Sequence, residues 1–429
     1  MAGSMSRQWE LLIYCAFVSV VCWIANIVNS KVPIPYMDEI FHVGQAQRYC
    51  DGDYSTWDPK ITTPPGLYFS SKPMSLLTAC SLDVLRATNI IFTLANVYTM
   101  HQIRQHLQHD SVITSLVIVL LPVNFFFTFL YYTDPGCIFC LLLMYLFFLK
   151  GQHYLAALSG FAGIFFRQTS VVWVFFVACL TLSKHVERVI KLPIPTSDKF
   201  KTLLIDALRD CFGYGVVGVL FLVFLKLNDG ITLGDRDAHK AVIHLAQIGN
   251  FLLFALLFGA PYILSLSNFI RFLDFATKYP IHILVTSLVM YGLFENFIYV
   301  HPYMLADNRH YTFYIWRRFL SRESIRQVMV VVYIYVAFCL YNCVRHMGRV
   351  WITFFVLCTM ITIVPQQLFE FRYFVWPLLV LRLHFRQKKH QLVAEALAYI
   401  ALNCITFYIF LFSPFVWRHD PGHIQRFMW

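Results

Sequence analysis

The sequence predicts an all-α membrane protein that crosses the bilayer about thirteen times. Three observations carry this expectation. Hydrophobic residues make up 59% of the 429 positions. Charged residues make up only 13%, against the roughly 25% that soluble domains use. Apolar runs recur at or near the roughly 20 residues that a helix needs to cross the hydrocarbon core.

The first run, 11–28, follows Arg7 and lacks a small-residue cleavage site. It reads as a retained span rather than a removed leader. Further runs lie at 74–100, 112–131, 137–149, 153–166, 170–182, 212–227, 241–266, 280–299, 328–344, 350–364, 373–383 and 392–416. Runs 153–166 and 170–182 flank Arg167 and read as two spans; one long helix carrying Arg167 inside the membrane is the alternative. Cys137 and Cys140 form a C-x-x-C among leucines and phenylalanines, where helical packing explains them better than redox or zinc chemistry.

With thirteen spans, loops alternate between the two sides. Loops 1–10, 101–110, 150–152, 184–210, 267–279, 345–349 and 384–391 hold 16 Lys and Arg against 7 Asp and Glu. The opposite loops hold 15 against 13 in longer stretches. The denser positive charge marks the first set as cytosolic. The net charge of +11 is then a topology signal and needs no nucleic-acid partner. The polar, motif-like stretches all fall on the other face. No repeat or linker divides the chain, so 1–429 reads as a single membrane domain with its main polar loops at 29–73 and 300–327.

In "YMDEIFHVGQAQRYC" (36–50), Asp38 and Glu39 emerge directly after the first span. A carboxylate held there can act as a general base. Neighbouring side chains point apart, so one of the two faces a given substrate atom. A solvated turn, or pairing with Arg48, is the other reading. "DGD" (51–53) and "DRD" (235–237) match the short D-x-D pattern that can hold a divalent ion on a diphosphate. Such acidic pairs are more often turns, and no metal site is expected. "WDPKITTPPGLY" (57–68) carries Pro59, Pro64 and Pro65 and cannot form a regular helix. "ADNRHYTFYIWRR" (306–318) combines arginines with aromatics, which suits phosphate gripping and sugar stacking. An interfacial helix anchored on headgroups is the alternative for Arg317 and Arg318. Arg167 in "RQT" and Arg372 in "EFRYF" (370–374) lie between apolar runs, where an arginine is costly and is usually paired or functional.

These strings, with "LRATN" (85–89), "YYTD" (131–134), "GDR" (234–236) and the terminal "RFMW", resemble the dolichyl-phosphate-glucose-dependent α-1,2-glucosyltransferases. The resemblance runs in order from near residue 36 to residue 429. Ser170 stands where the family pattern has Asn, and Gly44 where it has Pro. The resemblance implies a GT-C type glycosyltransferase bundle with lumenal active-site loops in the endoplasmic reticulum membrane. It implies dolichyl β-D-glucosyl phosphate as donor and a diglucosylated, diphosphodolichol-linked oligosaccharide as acceptor. The anomeric centre inverts. It assigns the catalytic acid to Asp38, with Glu39 as the alternative. Arg309 and Arg372 become clamps for the donor phosphate, joined by His310 and Arg167. His42, Gln45, Arg48, Trp57, Tyr68, Asp134, Asp235, Asp307, Asn308, Tyr311 and Trp316 are the substrate-binding candidates. The leaving group is already a stable phosphate anion, so no cofactor or metal is expected. Two other classes remain open. A mannosyl transferase of the same fold would share the first-loop acids. A transporter would show internal repeats and deep charges lining a pathway; Asp83, Arg86, Glu295 and Glu395 are the few deep charges, and no repeat is evident.

Overall fold

The structure, a computed structural model, describes residues 2–75, 78–108, 111–193, 195–236 and 240–429. Helices follow one another along the chain: α1 (Ala2–Lys31), α2 (Glu39–Cys50), α3 (Gly66–Ser75), α4 (Leu82–Gln108), α5 (Val112–Val119), α6 (Pro122–Phe126), α7 (Asp134–Leu149), α8 (His153–Phe166), α9 (Ser170–Ile190) and α10 (Thr196–Asn228). Then come α11 (Ala246–Ile263), α12 (Leu266–Lys278), α13 (Pro280–Asn296), α14 (Pro302–Ala306), α15 (Tyr311–Ile315), α16 (Glu323–Val344), α17 (Arg349–Ile363), α18 (Arg372–His384) and α19 (Lys389–Phe412). A short antiparallel hairpin, β1 (Phe415–Trp417) and β2 (Asp420–Gln425), follows.

Among the described residues, six helices are long and apolar enough to cross a membrane, or seven if one bent pair is a single span. The chain is a multi-pass membrane protein. The six match the expected runs at 11–28, 170–182, 212–227, 241–266, 328–344 and 392–416. Other expected runs fold differently. The run at 112–131 breaks between α5 and α6 with a bend of 78°. Pro122 has no N–H to continue the ladder, and the Asn124 amide donates to the freed Val119 carbonyl at 3.1 Å. The run at 74–100 begins its helix only at Leu82, which moves Arg86 from mid-span to the second turn of α4. Runs 137–149, 153–166 and 350–364 form apolar helices shorter than a full span.

The stretch 153–182 is two helices, not one. Arg167 is extended, with φ −148° and ψ 125°. The Ser170 hydroxyl donates to the Gly163 carbonyl at 3.0 Å, a second donor beside the Arg167 amide that closes the last turn of α8. That serine is one of the two departures from the family strings. The other, Gly44, is exposed with nothing near a built Cβ.

The chain divides into two compact units: 1–115 with 127–238 and 349–358, and 116–126 with 239–348 and 359–429. In the first unit, α7 packs on α4 and α8, and α10 packs on α8 and α9. Gly136 and Gly160 allow close approach: a Cβ would fall 2.3 Å from the Phe166 ring and 2.6 Å from Val174. A Cys50–Cys80 disulfide staples the end of α2 to the turn before α4. In the second unit, α11 packs on α16 and α19. Phe272, Val330 and Ile334 form a buried apolar cluster there. Glu395 pairs with Arg382 at 2.7 Å, both fully buried. Glu295 pairs with Arg326 at 2.5 Å. These deep charges therefore meet opposite charges.

Candidate active site

In the first unit the site is built around the start of α2. Met37 adopts a left-handed φ of 58°, a conformation that costs a non-glycine residue about 1–3 kcal/mol and gathers at functional sites. The two acids follow that turn as the N-cap and first residue of α2, where consecutive side chains point about 100° apart around the helix. Asp38 is exposed at the N-cap of α2. Glu39 is wholly buried. Its Oε1 accepts from Arg86 Nε at 2.7 Å and from the Tyr131 amide at 2.8 Å. Its Oε2 accepts from Arg86 Nη2 at 2.6 Å and from the Tyr36 amide at 3.1 Å. Four donors occupy this carboxylate, so it has no face left for a substrate hydroxyl. The pairing with Arg48 considered for these acids does not occur at Glu39; Arg48 is exposed in the last turn of α2.

One turn on from Asp38, the His42 Nδ1 lies 2.8 Å from the Tyr68 hydroxyl. Burial, reinforced by Tyr131, Tyr49 and Asp58, holds the Tyr68 phenol well above its ordinary pKa, so it stays protonated. Gln45, on the same face of α2, is buried and pins the following loop: its amide donates to the Thr56 carbonyl at 2.8 Å and its oxygen accepts from the Asp58 amide at 2.9 Å. Trp57 donates to the Ile61 carbonyl at 3.2 Å and sets its ring edge on Tyr68. Asp53 Oδ1 accepts from Ser55 and Thr56. The Thr56 and Ser55 hydrogen bonds hold its carboxyl far below the usual range. That is turn chemistry for the DGD match. In the DRD match, Asp237 lies outside the described residues.

The proline loop is clamped from two sides. The Asp235 amide donates to the Pro59 carbonyl at 2.8 Å, and Lys60 Nζ lies 3.8 Å from the Asp235 carboxylate. A Cβ on Gly234 would fall 2.4 Å from the carbonyls of Pro59 and Ile61, so only glycine lets the strands of chain meet. The buried Gln168 donates to Thr62 and Ile231 carbonyls at 2.7 and 3.0 Å. Its neighbour Arg167 pairs with Asp134 at 2.9 Å and donates to Thr133 at 3.3 Å. Five separated stretches, 36–50, 57–68, 131–134, 167–169 and 231–235, thus interlock in one unit.

The second unit gathers the other candidates. Arg309 is gripped by Asp307 through Nε at 2.8 Å and Nη2 at 2.7 Å, donates to Gln425 at 2.9 Å, and lies 4.7 Å from the Trp417 ring centre. Burial pushes the Asp307 carboxyl up, but Arg309 hydrogen bonds and the nearby His310 and Arg309 charges outweigh it and hold it low. Asn308 accepts from the Trp417 indole at 2.9 Å. His310 Nδ1 is 3.1 Å from the Trp429 oxygen. The Met428 amide donates to Arg309 and the Tyr311 amide to Met428, so the terminal strap is stitched along this loop. Tyr311 rests its ring on Trp429 at 4.7 Å. Arg372 pairs with Glu370. Trp316 opens a π-helical turn and lines a cavity of about 30 Å³ with His244, Asn250, Glu295 and Arg326. That is room for about one or two waters rather than a hexose. Arg317 and Arg318 are exposed over Phe313 and Tyr314.

Sequence reasoning did not find Arg86, Gln168, Gln425 or Trp417 as members of these sites. "LRATN" was a signal for Arg86 without a role attached. Nothing in the sequence paired Cys50 with Cys80.

A sequence profile described as the DIE2/ALG10 family matches residues 32–383. A human protein named Dol-P-Glc:Glc(2)Man(9)GlcNAc(2)-PP-Dol alpha-1,2-glucosyltransferase is 36% identical, with 97% of both chains covered. Proteins of the same name from Arabidopsis thaliana and Drosophila melanogaster are 33% and 30% identical, covering 94% and 99% of this chain and 96% and 100% of their own. No solved structure matches the chain.

Proposed function

We infer the activity from kinship, because the chain belongs to the DIE2/ALG10 family. It is a glycosyltransferase that moves glucose from dolichyl β-D-glucosyl phosphate, in α-1,2 linkage, onto the diglucosylated lipid-linked oligosaccharide. This is the step its relatives are named for. Full-length similarity carries the reading, since it spans every motif stretch of both units.

The residue roles follow from chemistry. Asp38 accepts the proton of the acceptor's 2-hydroxyl as that oxygen attacks C1 of the donor glucose. The C1–O bond to phosphate breaks with its electron pair going to the phosphate, and the anomer inverts from β to α. Asp38 suits the task because it is exposed at a strained turn, whereas Glu39 is consumed by Arg86. Arg309, Arg372 and His310 of the second unit carry the chemistry that suits the donor phosphate, and Arg167 of the first unit is the remaining cationic candidate for it. Each of these arginines already rests on a carboxylate, Asp307, Glu370 or Asp134, which orients its remaining N–H donors. His42, Trp57 and Tyr68 shape the acceptor groove. The reaction needs no metal, and the whole chain works as one GT-C type domain whose motif loops face the lumen of the endoplasmic reticulum. The Cys50–Cys80 disulfide supports that side, because disulfides persist in oxidising compartments.

The test is transfer by purified protein with synthetic dolichyl-phosphate sugars and defined acceptors. Glucose transfer to the diglucosylated acceptor alone is expected. Transfer of mannose, or equal transfer to acceptors lacking the two glucoses, would replace this reading with another specificity.

A further inference from the structure

The "LRATN" string enters neither the catalytic assignment nor the phosphate and acceptor contacts. Its polar side chains Arg86, Thr88 and Asn89 are all buried; Arg86 reaches the start of α2, and Asn89 reaches residues 130–132. Arg86 is 1% exposed and Asn89 is 0% exposed. Arg86 forks onto Glu39 through Nε and Nη2 at 2.7 and 2.6 Å. Its Nη1 reaches Asn29 at 3.1 Å and the Val32 carbonyl at 2.8 Å, at and just beyond the end of α1. One turn further along α4, the Asn89 amide donates to the carbonyls of Leu130 and Tyr132 at 2.6 and 2.8 Å. Between those two carbonyls, the Tyr131 amide donates back to Glu39 at 2.8 Å. The result is a closed ring of contacts through α1, α2, α4 and residues 130–132.

We propose that Arg86 and Asn89 are positioning residues for the glucosyl transfer, holding Glu39 as a peg that fixes the direction in which Asp38 projects. The proposal rests on Asp38 being the base. The physical reason is adjacency. Asp38 and Glu39 share a peptide bond, and Met37 before them is held in a left-handed turn with φ 58°. Such a turn persists only where the surroundings over-determine it. The four bonds at Glu39 and the two at Asn89 supply that constraint. A fork is needed because Nε and Nη2 must meet both carboxylate oxygens at once, while Nη1 holds α1. Lysine offers one point charge and cannot span them. A catalytic group displaced by about 1 Å loses on the order of 100-fold in rate.

The experiment compares Arg86→Lys, Glu39→Gln, Asn89→Ala and the double variant Glu39→Met/Arg86→Met in purified, folded protein. Thermal unfolding, kcat and KM are measured beside wild type, whose own glucose transfer tests the function independently. Arg86→Lys is expected to lower kcat about 10- to 100-fold with KM within about twofold. The apolar double variant removes the buried charges together, so that neither is left unpaired. It is expected to melt below wild type, because the Tyr36 and Tyr131 amides and the Val32 carbonyl lose their partners, yet above Glu39→Gln, which leaves a buried charge unpaired, and to keep the low kcat. Recovery of kcat in the double variant would show a purely structural pair and overturn the proposal. So would a loss confined to KM, or full activity in Arg86→Lys. If Asp38→Asn is fully active while Arg86→Lys is impaired, the clamp stands but the base assignment falls.

Discussion

At the scale of single residues, two adjacent acids have opposite fates, because consecutive helical side chains diverge and only one of them meets Arg86. Asp38 projects outward, and Glu39 is locked inward on Arg86. Asp38→Asn keeps the size of the side chain but cannot take a proton at neutral pH. Turnover at saturating donor and acceptor is expected to fall at least about 100-fold with unchanged melting. Near-wild-type turnover would place the base outside this loop. Glu39→Gln is a different experiment, because it leaves the Arg86 charge buried and unpaired. It is expected to destabilise the protein by about 3–5 kcal/mol, read as an earlier thermal transition. The string "DE" was legible in the sequence. The division of labour was not, because Arg86 lies 47 residues away.

At the scale of elements, loops are held by staples rather than by their own regularity. The Cys50–Cys80 bond closes a 30-residue separation that runs from the end of α2 across the proline loop and α3. Cys50→Ser is expected to cost about 3–4 kcal/mol, visible in thermal unfolding under non-reducing conditions and absent when wild type is reduced first. The strap at the C-terminal end holds the 307–311 loop through Arg309 and Tyr311, and Asp307 grips Arg309 from within the loop. Because the folded Asp307 carboxyl sits below the ordinary aspartate range, its contribution is fully present above the unfolded value of about pH 4. That contribution fades as pH falls further, through the lowered value. Asp307→Asn should therefore flatten the acid limb of a stability-versus-pH curve; an unchanged limb would dismiss the pair as a stabiliser. The proline loop itself was readable, since Pro64 and Pro65 stop any helix before Gly66, where α3 begins.

At the scale of the whole molecule, the alternation of basic connectors with motif stretches sets the expected sidedness. Glycosylation tags at 51–55 and 305 should be modified, and tags at 190–200 and 386–390 should not. This assignment requires α8 and α9 to be separate helices, as they are. Modification at 190–200 with none at 305 would reverse the later topology. Activity should also survive chelation, since arginines and a phosphate leaving group need no ion. Loss with EDTA and rescue by magnesium or manganese would end the arginine account.

Composition and apolar run length alone determined that this chain is a helical, multi-pass membrane protein, because each segment's hydrophobicity reports the solvent it must live in. The order of short polar strings determined the family. Tertiary structure decided which polar side chains are pegs and which face outward. It split the run at 112–131 at Pro122, bound Arg309 to Gln425 across 116 residues and closed Cys50 on Cys80. These pairings depend on where distant segments pack. A buried charge or amide is stable only beside the partner that packing delivers, and no local pattern in the sequence encodes that partner.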